Sequence, residues 1–301
     1  MGINRRIGVF GLGSMGYGMA LSLLRAGHDV AGFDLNEATV TAFQAEGGLA
    51  GGLTDILPGL DIAVIVVLNA DQTREVLFGA NGIAQHLTAG TGIIACATVA
   101  PSFAQEMEGA ARAVGLHYLD APISGGALKA ASGELSVMAS GTETAFSKAR
   151  PALDAMAQTV FELGDAAGAG SAMKAVNQLL AGVHIAAMAE AVTFGMSQGV
   201  EPAKTLEVIS QCAGSSWMFE NRAPHIVDAD YTPRSSVNIW PKDLGIVLDI
   251  AQQAKFTAPL TTAALRQFQA AVNAGFGDED DAAVAKVYAD SAGLVLPGGA
   301  T

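Results

Sequence analysis

The sequence predicts an α/β domain built on a parallel sheet, followed by an all-helical domain, the two joined by one long helix. Three observations predict it. Short β-rich runs alternate with helical patterns from Arg6 to about Gly164, and such alternation implies a parallel sheet wrapped by helices. One run, Ile62–Leu68, is apolar throughout, as suits a strand covered on both faces. After a Gly-rich segment, Gly164–Gly170, the strand runs cease. The predicted domains are residues 1–165 and 166–301.

In chain order the strand candidates are Ile7–Phe10, Asp29–Asp34, Ile62–Leu68, Gly92–Ala97, Leu116–Asp120, Leu135–Ala139 and Thr159–Leu163. Helical patterns lie between them at Met15–Ala26, Glu37–Glu46, Asp71–Phe78, Ser102–Val114 and Thr142–Met156. The second half reads as a long helix, Ser171–Gln198, then shorter ones at Pro202–Cys212, Lys242–Ala254, Pro259–Ala274 and Asp281–Ala292. The Pro/Gly-rich tail, Leu294–Thr301, reads as loose.

Bulk properties narrow the function classes. A chain of 301 residues, half hydrophobic and 15% charged, has ample material for a core and is not a disordered one. The formal net charge of −13, with no basic stripe, argues against nucleic acid and anionic membranes. Lysines placed at clefts therefore become informative. Cys96 and Cys212 form neither a CxxC pair nor a zinc spacing, so two reduced thiols and no metal site are expected. Met1–Arg6 runs straight into a strand without a signal-peptide pattern, and Ile62–Leu68 is too short to span a bilayer. A cytoplasmic protein is expected.

The first chemical motif is Gly11-Leu12-Gly13-Ser14-Met15-Gly16, between a strand and a helix. Gly11 permits the tight turn, Gly13 lets backbone approach a pyrophosphate, and Gly16 allows close helix–strand packing, with the helix N-terminus aimed at the phosphates. The following strand ends at Asp34, eighteen residues after Gly16, near the usual spacing of about 20. A carboxylate there accepts both ribose hydroxyls of NAD and repels a 2′-phosphate. Leu35, Asn36 and Glu37 supply no cation for that phosphate. A Rossmann-type NAD site is the expectation.

Three more segments stand out. Asp120-Ala121-Pro122-Ile123-Ser124-Gly125-Gly126 follows a predicted strand. Ser124, Gly125 and Gly126 read either as a carboxylate cradle or as a plain Pro/Gly turn. Lys174 sits near the start of the long apolar helix with Asn177 and Gln178 on the same face. A desolvated lysine near other positive charge acts as a general acid or base; a snorkelling lysine is the other reading. Lys242, opening a later helix, reads as a cofactor contact or a solvated helix-start residue. Glu190 is expected to have a buried polar partner, Arg222 a surface ion pair, and Trp217, Met218 and Phe219 to form either pocket wall or core.

Taken together and in order, Gly11–Gly16 with Ala26-Gly27-His28, Asp120–Gly126, Gly168–Asn177 and Lys242-Asp243-Leu244 resemble the β-hydroxyacid dehydrogenase family, over Ile7 to about Tyr288. The resemblance implies that Lys174 is the catalytic lysine, that Ser124, Gly125 and Gly126 hold the substrate carboxylate, and that Asn177 orients the substrate hydroxyl. It also implies that Thr98 and Lys242 contact the cofactor, with Leu68 and Asn69 lining its path. Two departures are visible: Asn177-Gln178 replaces adjacent asparagines, and Leu68-Asn69 replaces Leu-Pro. The segments Val176–His184 and Ser215–Asn221 look more like the branch acting on L-threonate, and Gln178 reads as a ligand for an extra substrate hydroxyl. The implied reaction is NAD-dependent oxidation of a small hydroxy acid. Alternatives are 3-hydroxyisobutyrate or tartronate semialdehyde as substrate, or a non-catalytic NAD-binding module. The apolar second half points to a homodimer or homotetramer.

Overall fold

The computed structural model describes residues 4–299. Five strands, β1 (Arg6–Phe10), β2 (Asp29–Phe33), β3 (Ile62–Ile65), β4 (Gly92–Ala95) and β5 (His117–Asp120), form a wholly parallel sheet in the order β2-β1-β3-β4-β5. The order reverses between β1 and β3, and ligands of open α/β sheets bind beyond the carboxyl ends at such a point. Side chains alternate between two cores: Ile7, Val9, Ile62, Val64 and Ile94 on one face, Phe10, Ala63, Ile65 and Ile93 on the other. The helices α1 (Gly16–Arg25), α2 (Glu37–Ala45), α3 (Leu53–Ile56), α4 (Ala70–Phe78) and α5 (Pro101–Ala113) connect the strands.

The sheet does not continue through the last two predicted strands. A separate three-stranded sheet joins β6 (Ile123–Ser124), β7 (Leu135–Ala139) and β8 (Ala157–Glu162), with β6–β7 antiparallel and β7–β8 parallel. The reason lies in the connection. Only residues 125–134 separate β6 from β7, fewer than the dozen or so that a parallel crossover needs, so the chain doubles back. Asp120 and Ser140 exchange backbone hydrogen bonds of 3.0 and 2.8 Å as part of this return. The connection holds an unexpected helix, α6 (Gly126–Ser132), and α7 (Glu143–Met156) follows β7.

Helix α8 (Ala169–Ser197) is long and apolar enough to cross a bilayer by length and composition, which the strand-length run Ile62–Leu68 is not. The chain divides into two compact units inside α8, after Lys174. The second unit contains the rest of α8 and α9 (Pro202–Ile209), α10 (Trp217–Val227), α11 (Ile239–Gln253), α12 (Pro259–Asn273) and α13 (Val284–Ser291). Helix α10, with Pro224 inside it, was not among the predicted helices. The Ser216 hydroxyl caps α10 by accepting from the Phe219 N–H at 3.0 Å. Ile185, Met188, Val192, Phe219, Leu244 and Phe268 build the core of this unit, and Trp240 stacks on Phe268.

Several side chains singled out in the sequence find their places here. Met218 and Phe219 are core, while Trp217 is exposed. Arg222 is buried and bonds to Asp281 at 2.5 Å, not to a surface carboxylate. Glu190 is exposed, and burial together with its nearby charge raises the Tyr288 phenol above its ordinary value.

Candidate active site

The carboxyl edge of the parallel sheet gathers most of the predicted residues. Gly11–Gly16 follow β1, Asp34 follows β2, Leu68 and Asn69 follow β3, Thr98 follows β4, and Ser124–Gly126 lie beyond β5. In the first loop Gly11 has φ +99°, and a Cβ there would meet the Val66 carbonyl. A Cβ on Gly16 would strike the Gly11 carbonyl. These two glycines therefore close the loop, whereas Gly13 is exposed and faces open space. That is the position at which a pyrophosphate needs bare backbone. Leu12 is core, so only its backbone belongs to the loop.

The Asp34 carboxylate accepts the Leu12 N–H at 2.7 Å on one oxygen and the Asn36 N–H at 2.9 Å on the other. It is thus oriented against the glycine loop, and each oxygen keeps a further lone pair for a ribose hydroxyl. These residues fit a dinucleotide. Asn69 caps α4 by accepting from the Gln72 N–H at 2.8 Å, while Gln72 accepts the Leu68 N–H at 2.9 Å. The departure from Leu-Pro is thus a reciprocal capping pair. Thr98 is half-buried just beyond β4.

Gly125 and Gly126 both have positive φ, at +137° and +76°, and Gly126 opens onto free space at the start of α6. Lys174 is 8% exposed, and its Nζ donates to the carbonyl of Ile123 at 2.9 Å. The residue before Ser124 therefore tethers the lysine, and Lys174 Nζ and the Ser124–Gly126 turn occupy one place in the first unit.

What aims Lys174 is the start of α8, and sequence reasoning assigned no role to the residue responsible. Asp120, 1% exposed, accepts from the backbone N–H groups of Gly168 (2.9 Å) and Ser171 (2.8 Å) and from the hydroxyls of Ser171 (2.6 Å) and Ser140 (3.2 Å). It is the capping carboxylate of a 29-residue helix. Burial raises its pKa, opposed by the hydrogen bonds from Ser171, Gly168 and Ser140. Next to it, burial and then the charge of Asp120 push the Cys96 thiol up to about 12, so this cysteine is an inert core residue.

Three residues after Lys174 on the same helix, Asn177 is half-buried and Gln178 is 7% exposed. The amide of Gln178 is engaged at both ends within the second unit. Its Nε2 donates to Asp243 at 2.5 Å, and its Oε1 accepts from Asn177 Nδ2 at 2.9 Å. Lys242 Nζ lies 2.7 Å from the other Asp243 oxygen. Asp243 was missed, although a signal existed: it falls in the buried stripe Trp240, Asp243, Leu244, Val247 and Ala251 of α11. Among the described residues, no group of three or more His, Cys, Asp or Glu could hold a metal ion.

Comparison with known proteins agrees with this geometry. Residues 6–164 match the family model described as the NAD binding domain of 6-phosphogluconate dehydrogenase. Residues 168–288 match the one described as NAD-binding of NADP-dependent 3-hydroxyisobutyrate dehydrogenase. The L-threonate dehydrogenase of Cupriavidus necator is 50% identical over 98% of this chain and 99% of its own length. That of Escherichia coli K12 is 46% identical over 97% of this chain and 96% of its own. A crystal structure described as 3-hydroxyisobutyrate dehydrogenase from Salmonella typhimurium is 47% identical, covers 94% of this chain and 100% of its own, and superposes with a TM-score of 0.89. On the cofactor-loop geometry and these matches together, the chain belongs to the NAD-dependent hydroxyacid dehydrogenases of the 3-hydroxyisobutyrate dehydrogenase family.

Proposed function

We propose that this enzyme oxidises a small polyhydroxylated acid, L-threonate, to its 2-oxo acid, with NAD as the hydride acceptor and Lys174 moving the proton. The observation that carries the reading is the tether of Lys174 to Ile123, beside Ser124, Gly125 and Gly126. The names of the L-threonate dehydrogenases that this chain resembles support the substrate. NAD, when bound, accepts the hydride from the carbinol carbon. Gly11, Leu12, Gly13, Ser14, Met15 and Gly16 hold its pyrophosphate through backbone, and Asp34 takes its adenosine ribose. Leu68, Asn69, Thr98 and Lys242 line the remainder. Ser124, Gly125 and Gly126 hold the substrate carboxylate, Asn177 orients the hydroxyl, and Gln178 supports it. The neutral Lys174 amine takes the hydroxyl proton as the C–H bond breaks, and in reverse the ammonium returns it to the carbonyl oxygen.

The test is NAD reduction with L-threonate, D-threonate, erythronate, 3-hydroxyisobutyrate and glycerate side by side. L-Threonate is expected to give the highest kcat/KM, with NAD strongly preferred over NADP because Asp34 would face a 2′-phosphate. A clear preference for 3-hydroxyisobutyrate or glycerate moves the chain to another substrate in the family. Absence of acid-dependent NADH formation supports a non-catalytic NAD-binding module.

The reading extends to a homodimer or homotetramer in the cytoplasm. Its support is an apolar stripe along α8, where Met173, Val176, Leu180 and Phe194 are all at least 45% exposed at helical spacing. The cytoplasm is the compartment suited to the unpaired Cys96 and Cys212. Light scattering on the purified enzyme is expected to give the mass of two or four chains. A single-chain mass at micromolar concentration would rule the oligomer out.

A further inference from the structure

We infer that Asp243 is a positioning residue which, acting through Gln178, sets the direction of the Asn177 amide and so makes the site select a substrate carrying, beside the reacting hydroxyl, a second hydroxyl that donates to the Asn177 oxygen. This deepens the proposed function and rests on Asn177 facing the substrate. Three polar contacts run in series within the second unit. Lys242 Nζ lies 2.7 Å from Asp243 Oδ1, a charge contact without hydrogen-bond alignment. Gln178 Nε2 donates to Asp243 Oδ2 at 2.5 Å, and Asn177 Nδ2 donates to Gln178 Oε1 at 2.9 Å.

The logic of donors and acceptors makes the series directional. An amide side chain has one end that donates and one that accepts, and either end can face a given neighbour. A carboxylate paired with an ammonium only accepts. Gln178 must therefore turn its NH2 toward Asp243, which is 2% exposed. Its oxygen is then the atom that meets Asn177, and Asn177 must answer with its own NH2. One buried charge on α11 thus determines the orientation of two amides on α8. Asn177 is left with its carbonyl oxygen and a single N–H for other partners. Reversing either amide would set oxygen against oxygen in a buried place. The extra methylene of glutamine suits the job, since an asparagine at 178 would have to reach both Asn177 and a residue on another helix with a shorter stem.

A fixed acceptor discriminates. The remaining N–H of Asn177 orients the oxygen of the reacting hydroxyl, whose proton goes to Lys174, and its carbonyl oxygen accepts from a neighbouring hydroxyl that 3-hydroxyisobutyrate lacks, so a methyl group or hydrogen in that place leaves the Asn177 oxygen unpaired. Sites built to hydrogen-bond a substrate hydroxyl reject analogues lacking it far more strongly than apolar pockets reject extra bulk. Gln178 on this account does not bind the extra hydroxyl itself, as its sequence position first suggests; it aims the residue that does.

The experiment compares wild type with Asp243→Asn and Gln178→Met, both close in shape to the residues replaced. The primary readout is the ratio of kcat/KM for L-threonate to that for 3-hydroxyisobutyrate. Both substitutions are expected to lower this ratio at least about tenfold, through KM for L-threonate. The second readout needs no turnover: the side-chain amide protons of Asn177, assigned by their absence in Asn177→Leu, are expected to exchange slowly with solvent in wild type and faster in both variants. An unchanged ratio in both variants would overturn the proposal, as would unchanged exchange. A loss confined to Asp243→Asn and accompanied by a raised KM for NAD would show that Asp243 acts only through Lys242, which also overturns it. If wild type oxidises neither acid, the functional reading fails, and the exchange rates alone still decide whether Asp243 sets the amide.

Discussion

Replacing Lys174 with alanine is expected to lower kcat by about 10²–10⁴-fold, the usual worth of a positioned acid–base group, while NADH binding stays near that of wild type. Alanine is the best helix former, so α8 keeps its backbone, and the tether of Lys174 runs to Ile123, beyond the cofactor loop. The loss should fall on kcat and kcat/KM alike, because the proton transfer belongs to the transition state. Lys174→Arg separates chemistry from charge. Arginine keeps the positive charge but does not give up its proton near neutral pH, so it too should be inactive if the lysine is a base. Activity retained by Lys174→Arg would reduce the residue to an electrostatic anchor. A kcat within tenfold of wild type in Lys174→Ala would remove it from the chemistry altogether. NADH titration by fluorescence checks that the variant is folded and binds cofactor.

The contrast between Asp34 and Asp243 shows what could be read from the sequence. The glycine loop and Asp34 were legible because their relation is local to one strand–helix–strand unit, where spacing along the chain stands in for distance. Lys174 was visible as a charge on an apolar helix, and its tether to Ile123 was not, since that bond joins residues 51 positions apart. Asp243 and Gln178 are 65 positions apart, so nothing in the spacing indicates that one aims the other. The division of the sheet was hidden for a similar reason. Strand runs reveal where strands are, and the direction of pairing at Asp120–Ser140 depends on how short the return is.

Replacing Asp120 with alanine is the change expected to cost the most stability. The carboxylate takes four donors, and Ser140 and Ser171 are at most 1% exposed, so alanine leaves those donors without water to replace it. Each buried unsatisfied group costs about 1–3 kcal/mol, and loss of a helix cap about 1 kcal/mol. Against this stands relief from burying a charge, the cause of the raised Asp120 pKa. A net loss of about 3 kcal/mol follows from these magnitudes, read as a Tm lowered by about 6–12 °C. The sign of the pH dependence follows from the same shift. The native state holds the Asp120 proton to a higher pH than the unfolded chain, so this group's favourable contribution is complete below the ordinary carboxyl value of about 3.9 and is lost as pH rises through the raised one. Asp120→Asn does not titrate. Its deficit relative to wild type should therefore be larger at pH 4 than at pH 7. The Lys174 tether gives a second, independent readout. If Asp120 aims the lysine by fixing the first turn of α8, Asp120→Asn should lower kcat even at temperatures where it is fully folded. Thermal scans at the two pH values and kcat at 20 °C check both statements, and a Tm within about 2 °C of wild type for Asp120→Ala would show that the buried donors find other partners.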